Sequence, residues 1–312
     1  MVSFSNKRYS SIKLHSVNIG DNTVNIPVAD IKGNKEGKTL LVTAGVDGDE
    51  YASIEAAYAL IDHFKDHEFA GRLIVIPILN TSGFFEEISF NPLDKKFPKF
   101  VYPGKKDGSP TERLIHWLHT TYVIDSDVWL DLHGGSLTEI INPFLWIHQT
   151  KNIQVDILTN RIIHSTTDTF AVCIDARRFG KAATLAKHNI SYIIAESGHL
   201  GERKEESIGR HVSWAKTTMA VLGMTLEKLK EKKKTIYRKI RLYNAKKEGL
   251  WYPGISVKSY IRKGMTLGEI YSMEYQRVEK LQEKEDGKVL WMKEGMAARK
   301  GDVLVAVGYN EK

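Results

Sequence analysis

The chain has 312 residues, enough for one large core or a large core with a smaller satellite. Hydrophobic residues make up 42% and charged residues 27%, which excludes a disordered chain. The formal charge is +7, but much of the excess lies between Lys228 and Lys239, and no nucleic-acid reader motif accompanies it.

The opening MVSFSNKRYS lacks the apolar core of a signal peptide. Over residues 12–29 apolar and polar positions alternate across a Gly20-Asp21-Asn22 turn, which predicts a hairpin. Residues 38–44 form a short apolar strand closed by Gly45-Val46-Asp47-Gly48. Residues 50–64 then have helical spacing, with Ile54, Ala57, Tyr58, Ile61 and Phe64 on one side. A second strand is expected over 72–79. The stretch 81–108 is long, irregular and rich in Gly, Pro, Phe and Lys, and loops of this length are often functional. A helix over 111–121 and a strand over 128–132 follow. Further strands fit 143–148, 169–174 and 191–195, with helices near 153–165 and 178–188. A long helical stretch is expected over 202–232, bent near Gly223, so that the lysine-rich segment reads as a solvated helix face. The single cysteine, Cys173, lies in an apolar strand, reads as a core residue and excludes an internal disulfide. No apolar run approaches the roughly 18–20 residues that span a bilayer.

Strands alternating with helices predict an α/β fold with a mostly parallel central sheet covered by helices on both faces. After about Lys234 short strand-like runs alternate with glycine turns. The expected division is residues 1–233 and a small β-rich C-terminal domain, 234–312.

Three side chains stand out at the carboxyl ends of predicted strands, where open α/β sheets bind ligands. Asp47 and Glu50, three apart, follow the first inner strand. His133 ends another, within Asp131-Leu132-His133-Gly134-Gly135. A turn leading into a helix can bring side chains at i and i+3 to one point. Glycines at 45, 48, 134 and 135 would let the backbone pass close to a bound group. On its own, Asp-x-x-Glu at a helix start more often marks a cap that complements the helix dipole. Asp131 is expected on the opposite side of its strand from His133, in a core or supporting role.

The order of the motifs changes that weighing. The chain resembles, over essentially its whole length, the succinylglutamate desuccinylase/aspartoacylase family of zinc carboxypeptidase-like hydrolases. The matching pieces are Gly45-Val46-Asp47-Gly48-Asp49-Glu50, Asn91-Pro92-Leu93-Asp94, Tyr102-Pro103-Gly104, Asp131-Leu132-His133-Gly134 and Glu196-Ser197-Gly198. The β-rich tail is similar to the family's C-terminal domain, which narrows access and favours small substrates. The resemblance implies that Asp47, Glu50 and His133 bind Zn2+ and that Glu196 is the general base.

Two positions depart from the family. Its first ligand is normally histidine, here Asp47. Two carboxylates and one imidazole make a harder set, which accepts Mn2+ or Fe2+ more readily. The family's carboxylate-gripping Asn-Arg pair aligns with Lys99 and Phe100, so substrates with fewer carboxylates are expected. Other candidate substrate contacts are Arg177 and Arg178, which also read as a surface helix start. Arg113 also reads as a loop fastener, and His199 lies beside Glu196-Ser197-Gly198.

The leading expectation is a cytoplasmic metal-dependent deacylase that cleaves the amide bond of a small N-acyl amino compound. A non-catalytic ligand-binding relative and a carboxypeptidase-like peptidase are the alternatives. The missing Asn-Arg pair argues against the peptidase. The expected partner is a small-molecule substrate, with no nucleic acid and no membrane, and a homo-oligomer is compatible.

Overall fold

A computed structural model describes residues 12–310 apart from 168 and 179. The amino-terminal segment read above and the side chain of Arg178 lie outside the described residues.

The expected hairpin is present as β1 (Ile12–Asn18) and β2 (Thr23–Lys32), with Asn18 paired to Thr23. Strand β3 (Lys35–Thr43) leads through the Gly45 turn into α1 (Tyr51–Phe64). Next come β4 (Ala70–Ile76), a short α2 (Thr81–Phe85), the loop to residue 108, and α3 (Pro110–Leu118). The chain continues through β5 (Val128–His133), β6 (Glu139–Ile141), β7 (Phe144–Gln149), α4 (Ile153–Ser165) and β8 (Phe170–Asp175). It closes this part with α5 (Gly180–Lys187), β9 (Ser191–Glu196), α6 (Glu205–Val221) and β10 (Ile236–Tyr237).

All of these strands except β6 form one nine-stranded sheet in the order β1-β2-β4-β3-β5-β9-β7-β8-β10. It is mixed, so the expectation of a mostly parallel sheet holds in part: five of its eight pairings are parallel, β7/β8 and β8/β10 among them. The inner pairs β4/β3, β3/β5 and β5/β9 are parallel. The β1/β2, β2/β4 and β7/β9 pairs are antiparallel. A parallel neighbour needs a long crossover, whereas β5 and β7 are joined by ten residues, and β7 returns in the opposite direction.

Alternation along the strands divides the core. Leu40, Val42, Leu73, Val75, Val128 and Leu130 face α1, α4 and α6. Leu41, Ile74, Ile76, Trp129 and Tyr192 face α3 and α5. Cys173 is buried in the first of these layers, as expected.

Helix α6 ends at Val221, well short of the expected 202–232. Gly223 adopts φ 72°, and Met224 N donates to Met219 O at 2.9 Å, a left-handed helix stop that glycine permits without strain. The lysine-rich stretch is therefore not a helix. Residues 226–235 have no regular structure; Lys228, Lys230, Lys232 and Lys233 are exposed and Lys234 is half-buried.

Beyond β10 the chain forms β11 (Lys239–Asn244), β12 (Gly249–Pro253), β13 (Tyr260–Ile261), β14 (Thr266–Tyr271), β15 (Arg277–Gln282), β16 (Gly287–Lys293), β17 (Ala297–Ala298) and β18 (Val303–Tyr309). They make two further sheets around Trp251, Leu267, Ile270, Val289, Leu304 and Val307. Strand β6, which the sequence did not suggest, pairs with β16 and ties this unit to the segment just after His133.

On α6, His211 is fully buried, and its Nε2 donates to Ser197 O at 3.0 Å. Burial pushes the imidazole down to about 4, so the folded protein keeps it neutral while the unfolded chain protonates near 6.5. Stability should therefore be lost as pH falls from about 6.5 to about 4. His211→Gln, which keeps a donor, should flatten that slope by about 1 kcal/mol per pH unit. Urea midpoints between about pH 4.5 and 7 would check it.

Candidate metal centre

The carboxyl ends of β3, β5 and β9 lie side by side, and the registers Thr43↔Asp131 and His133↔Glu196 set their residues level. Asp47 leaves β3 through Gly45, whose φ of 55° a residue with a Cβ would adopt only with strain. Glu50 precedes α1, and the sequence allowed it to be a cap. Its side chain makes no capping bond. Its Oε2 instead lies 2.9 Å from His133 Nδ1 and accepts from Gly134 N at 3.0 Å. Asp47 Oδ2 is 3.8 Å from the same Nδ1. Ligand atoms of Asp47, Glu50 and His133 all lie within 4.8 Å of one another, and all three residues are buried.

The residues fit a divalent cation. Asp47 Oδ1 is buried with no hydrogen-bond partner among the described residues, and an orphaned buried carboxylate oxygen is costly unless a cation faces it. Burial and the Asp47 charge push the Glu50 carboxyl well above its ordinary value. Burial disfavours the His133 imidazolium, but the Glu50 and Asp131 carboxylates override it and hold the ring above its usual value. Cation binding there would release protons.

Asp131 corrects the sequence reading. Residues two apart on a strand share a face, so Trp129, Asp131 and His133 all point to the α3/α5 side. Asp131 Oδ2 is 3.4 Å from His133 Nε2, opposite the nitrogen that faces Glu50. Asp131 also accepts from Thr43 Oγ1 at 2.6 Å and from Tyr192 OH at 2.7 Å. Thr43 accepts in turn from Trp129 Nε1 at 2.7 Å. Lys181 Nζ closes the group, 4.0 Å from Asp131 Oδ2 and 4.7 Å from the Tyr192 ring centre. Burial alone would raise Asp131, but His133, Lys181 and Thr43 hold it down to about 2.

Glu196 ends β9 beside His133 and shares the face of Tyr192. Burial pushes its carboxyl up to about 7, with His133 and Lys99 opposing and Asp47 and Glu139 adding to the rise. Glu139, which the sequence did not suggest, is half-buried, accepts from Ser136 Oγ at 3.2 Å and senses both Lys99 and Asp47. Asp49 is buried too and accepts from Ser89 Oγ at 2.7 Å.

The loop 81–108 is anchored through its Asn-Pro-x-Asp segment. Asp94 accepts from Ser109 Oγ, Thr111 Oγ1 and Thr111 N at the start of α3, at 2.6, 2.6 and 3.0 Å. Lys99 follows in a single 3₁₀ turn, Pro98–Phe100, and its Nζ donates to Asp47 Oδ2. Burial disfavours its ammonium, but Asp47 and Glu50 more than offset that and raise its pKa.

The other candidates sit differently. Arg113 Nε donates to Gly108 O at 2.7 Å and fastens the loop. His199 Nδ1 lies 3.3 Å from Glu202 Oε1 on the loop after Glu196. Arg177 is at the opposite end of the strands from the triad. Strand β8 runs with β7 and against β9, so Phe170 rather than Asp175 is level with Glu196. Arg177 pairs with Asp175 there and lines a cleft with Thr150, Asn152 and Lys187. The backbone of Arg178 follows it at the same end. The glycines also serve another purpose than expected. A Cβ on Gly134 would meet Ser197 O at 2.5 Å and one on Gly48 would meet Gly83 C at 2.3 Å, so both admit the protein's own backbone.

The fold and this triad together define an α/β protein with a candidate metal centre at the carboxyl ends of its inner strands. Residues 36–191, half of the chain, match the family model of the succinylglutamate desuccinylase/aspartoacylase catalytic domain, and the chain belongs to that family. It is similar to N-alpha-acetyl-L-2,4-diaminobutyric acid deacetylase of Halomonas elongata, with 38% identity over 125 residues. That match covers 40% of this chain and 36% of the relative's length. Its fold is similar to the succinylglutamate desuccinylase/aspartoacylase of Rhodobacter sphaeroides, at 19% identity, TM-score 0.84 and 99% of both chains. It is also similar to the product-bound ectoine utilization protein EutE (DoeB) of Ruegeria pomeroyi, at 19% identity and TM-score 0.85, covering 99% of this chain and 98% of that one.

Proposed function

We propose that the chain is a metal-dependent deacylase that cleaves the amide bond of a small N-acyl amino compound. One observation carries this reading: Asp47, Glu50 and His133 meet at one point, with Glu196 in the register position beside His133. The three would hold Zn2+, or Mn2+ or Fe2+ given the two carboxylates. When bound, the cation supplies Lewis acidity toward water and the scissile carbonyl. Glu196, with its carboxyl near 7, is suited to take a proton from the attacking water and return it to the leaving amine. His199 and Lys99 are the candidate substrate contacts that remain beside the site, and Phe97 and Phe100 give the loop an apolar side. The deacetylase relative makes N-acetylated diamino acids the first substrates to try.

In this reading residues 1–233 are the hydrolase domain and 234–312 a β-rich domain that narrows access. The protein works in the cytoplasm on small molecules. No helix among the described residues is long and apolar enough to cross a membrane.

Protein loaded with Zn2+ or Mn2+ and then desalted should retain a stoichiometric cation and hydrolyse N-acyl substrates. Asp47→Ala should lose both, and Asp47→His should bind Zn2+ more tightly. A second reading, a non-catalytic ligand-binding relative, is favoured by the Lys99–Asp47 pair. Metal retained by neither the parent nor Asp47→Ala, with no turnover, would select it.

A further inference from the structure

Asp47, one of the three proposed ligands, already has a cationic partner in the protein itself. We infer that Lys99 is a built-in counter-cation of this acidic cluster, which competes with a divalent cation for Asp47 and so sets the centre's metal affinity. The inference rests on the metal-dependent reading above and deepens it.

Geometry carries the argument. The Lys99 ammonium donates to Asp47 Oδ2, the oxygen that also faces His133 Nδ1 at 3.8 Å. Asp47 is 1% exposed and Lys99 31%, so the pair is shielded from water on the carboxylate side. The loop holding Lys99 is fastened to α3 by Asp94, which delivers the ammonium from an ordered segment. An ammonium has three donors and no lone pair, so it cannot join a coordination sphere. A dication on the unpartnered Asp47 Oδ1 would have the Lys99 charge beside it on the same carboxylate, and one that takes Oδ2 would also push the ammonium away. Lys99 has somewhere to go. Its Nζ is 5.5 Å from the Phe97 ring centre and 5.6 Å from that of Phe100, both within reach of a cation–π contact. The half-buried Glu139 carboxylate is a second counter-charge within electrostatic reach. Metal binding through Oδ2 would exchange the ammonium from Asp47 to these groups, and binding through Oδ1 alone would leave it as a like charge beside the cation. Metal-free protein would keep Asp47 neutralised without any cation from solution.

The test compares Zn2+ and Mn2+ affinity, by chelator competition, in the parent, Lys99→Met, Lys99→Gln and the charge-retaining Lys99→Arg, with melting temperatures in EDTA and in saturating metal. Removing one like charge beside a dication should raise affinity about tenfold or more in the Met and Gln variants. Lys99→Arg should stay near the parent. In EDTA the neutral variants should melt lower, so the metal-induced shift should widen. Equal or weaker affinity in both neutral variants overturns the inference and leaves the metal reading standing. Absence of binding in every protein overturns the metal reading and the inference together. If Lys99→Met does not fold, Lys99→Gln against Lys99→Arg decides.

Discussion

Glu196→Gln is expected to cut kcat by about 10²–10⁴-fold, the usual contribution of a positioned general acid–base, while metal affinity stays within about twofold. The two readouts separate because Glu196 is not among the three converging ligands. Its backbone position is fixed by β-pairing to His133 on one side and Phe144 on the other. A glutamine of the same shape keeps that pairing and removes only the proton-transfer function. Glutamine also relieves the burial that pushes this carboxyl up to about 7, so the variant should be no less stable. Steady-state kinetics on an N-acyl diamino acid and a metal titration would check both. Turnover unchanged by the substitution would remove Glu196 from the chemistry. Loss of metal together with turnover would make it a ligand instead.

Much of this site could be read from the sequence, and the parts that could not have identifiable causes. The hairpin, α1, α4 and most strands follow from period-two or helical alternation, which local sequence carries. The triad became legible through the order of short motifs rather than through any one of them. Asp47-x-x-Glu50 reads the same whether Glu50 caps α1 or turns toward His133, and only the tertiary contact with Gly134 N decides. Strand direction is not written in an apolar run. An apolar run marks β8 but not its reversal relative to β9, so Arg177 reads as a candidate substrate contact although it lies at the opposite end of the strands from the triad. Residues 224–232 are rich in Glu, Lys and Leu, good helix formers, yet Gly223 stops α6, and the following segment instead packs Leu229 on the core and donates Lys232 N to His164 O without forming a helix. Strand periodicity applied to residues 131 and 133 would have placed Asp131 correctly. Lys181 and Tyr192 had no signal, because they reach Asp131 from separate elements.

Asp131→Asn should be the most damaging substitution that leaves all three proposed ligands in place. Asp131 is completely buried and receives Thr43 Oγ1, Tyr192 OH and the far side of the His133 ring, with Lys181 Nζ 4.0 Å away. An asparagine offers one acceptor oxygen to these groups and points an NH2 at the rest. Two losses follow. The ligating imidazole loses the carboxylate that orients it, which typically costs about 10–100-fold in metal affinity. Lys181 is left buried without its counter-charge, and breaking a buried pair from one side costs about 3–5 kcal/mol. The effects can be separated with Asp131→Asn/Lys181→Met, which removes the stranded ammonium. Urea unfolding of metal-free protein should recover most of its stability in the double variant, while chelator competition should still find weakened metal binding. Recovery of both would mean that Asp131 acts through Lys181 alone, and recovery of neither would place the damage in Thr43 and Tyr192. An Asp131→Asn protein with parental stability and affinity would show that the buried carboxylate supports nothing at the site.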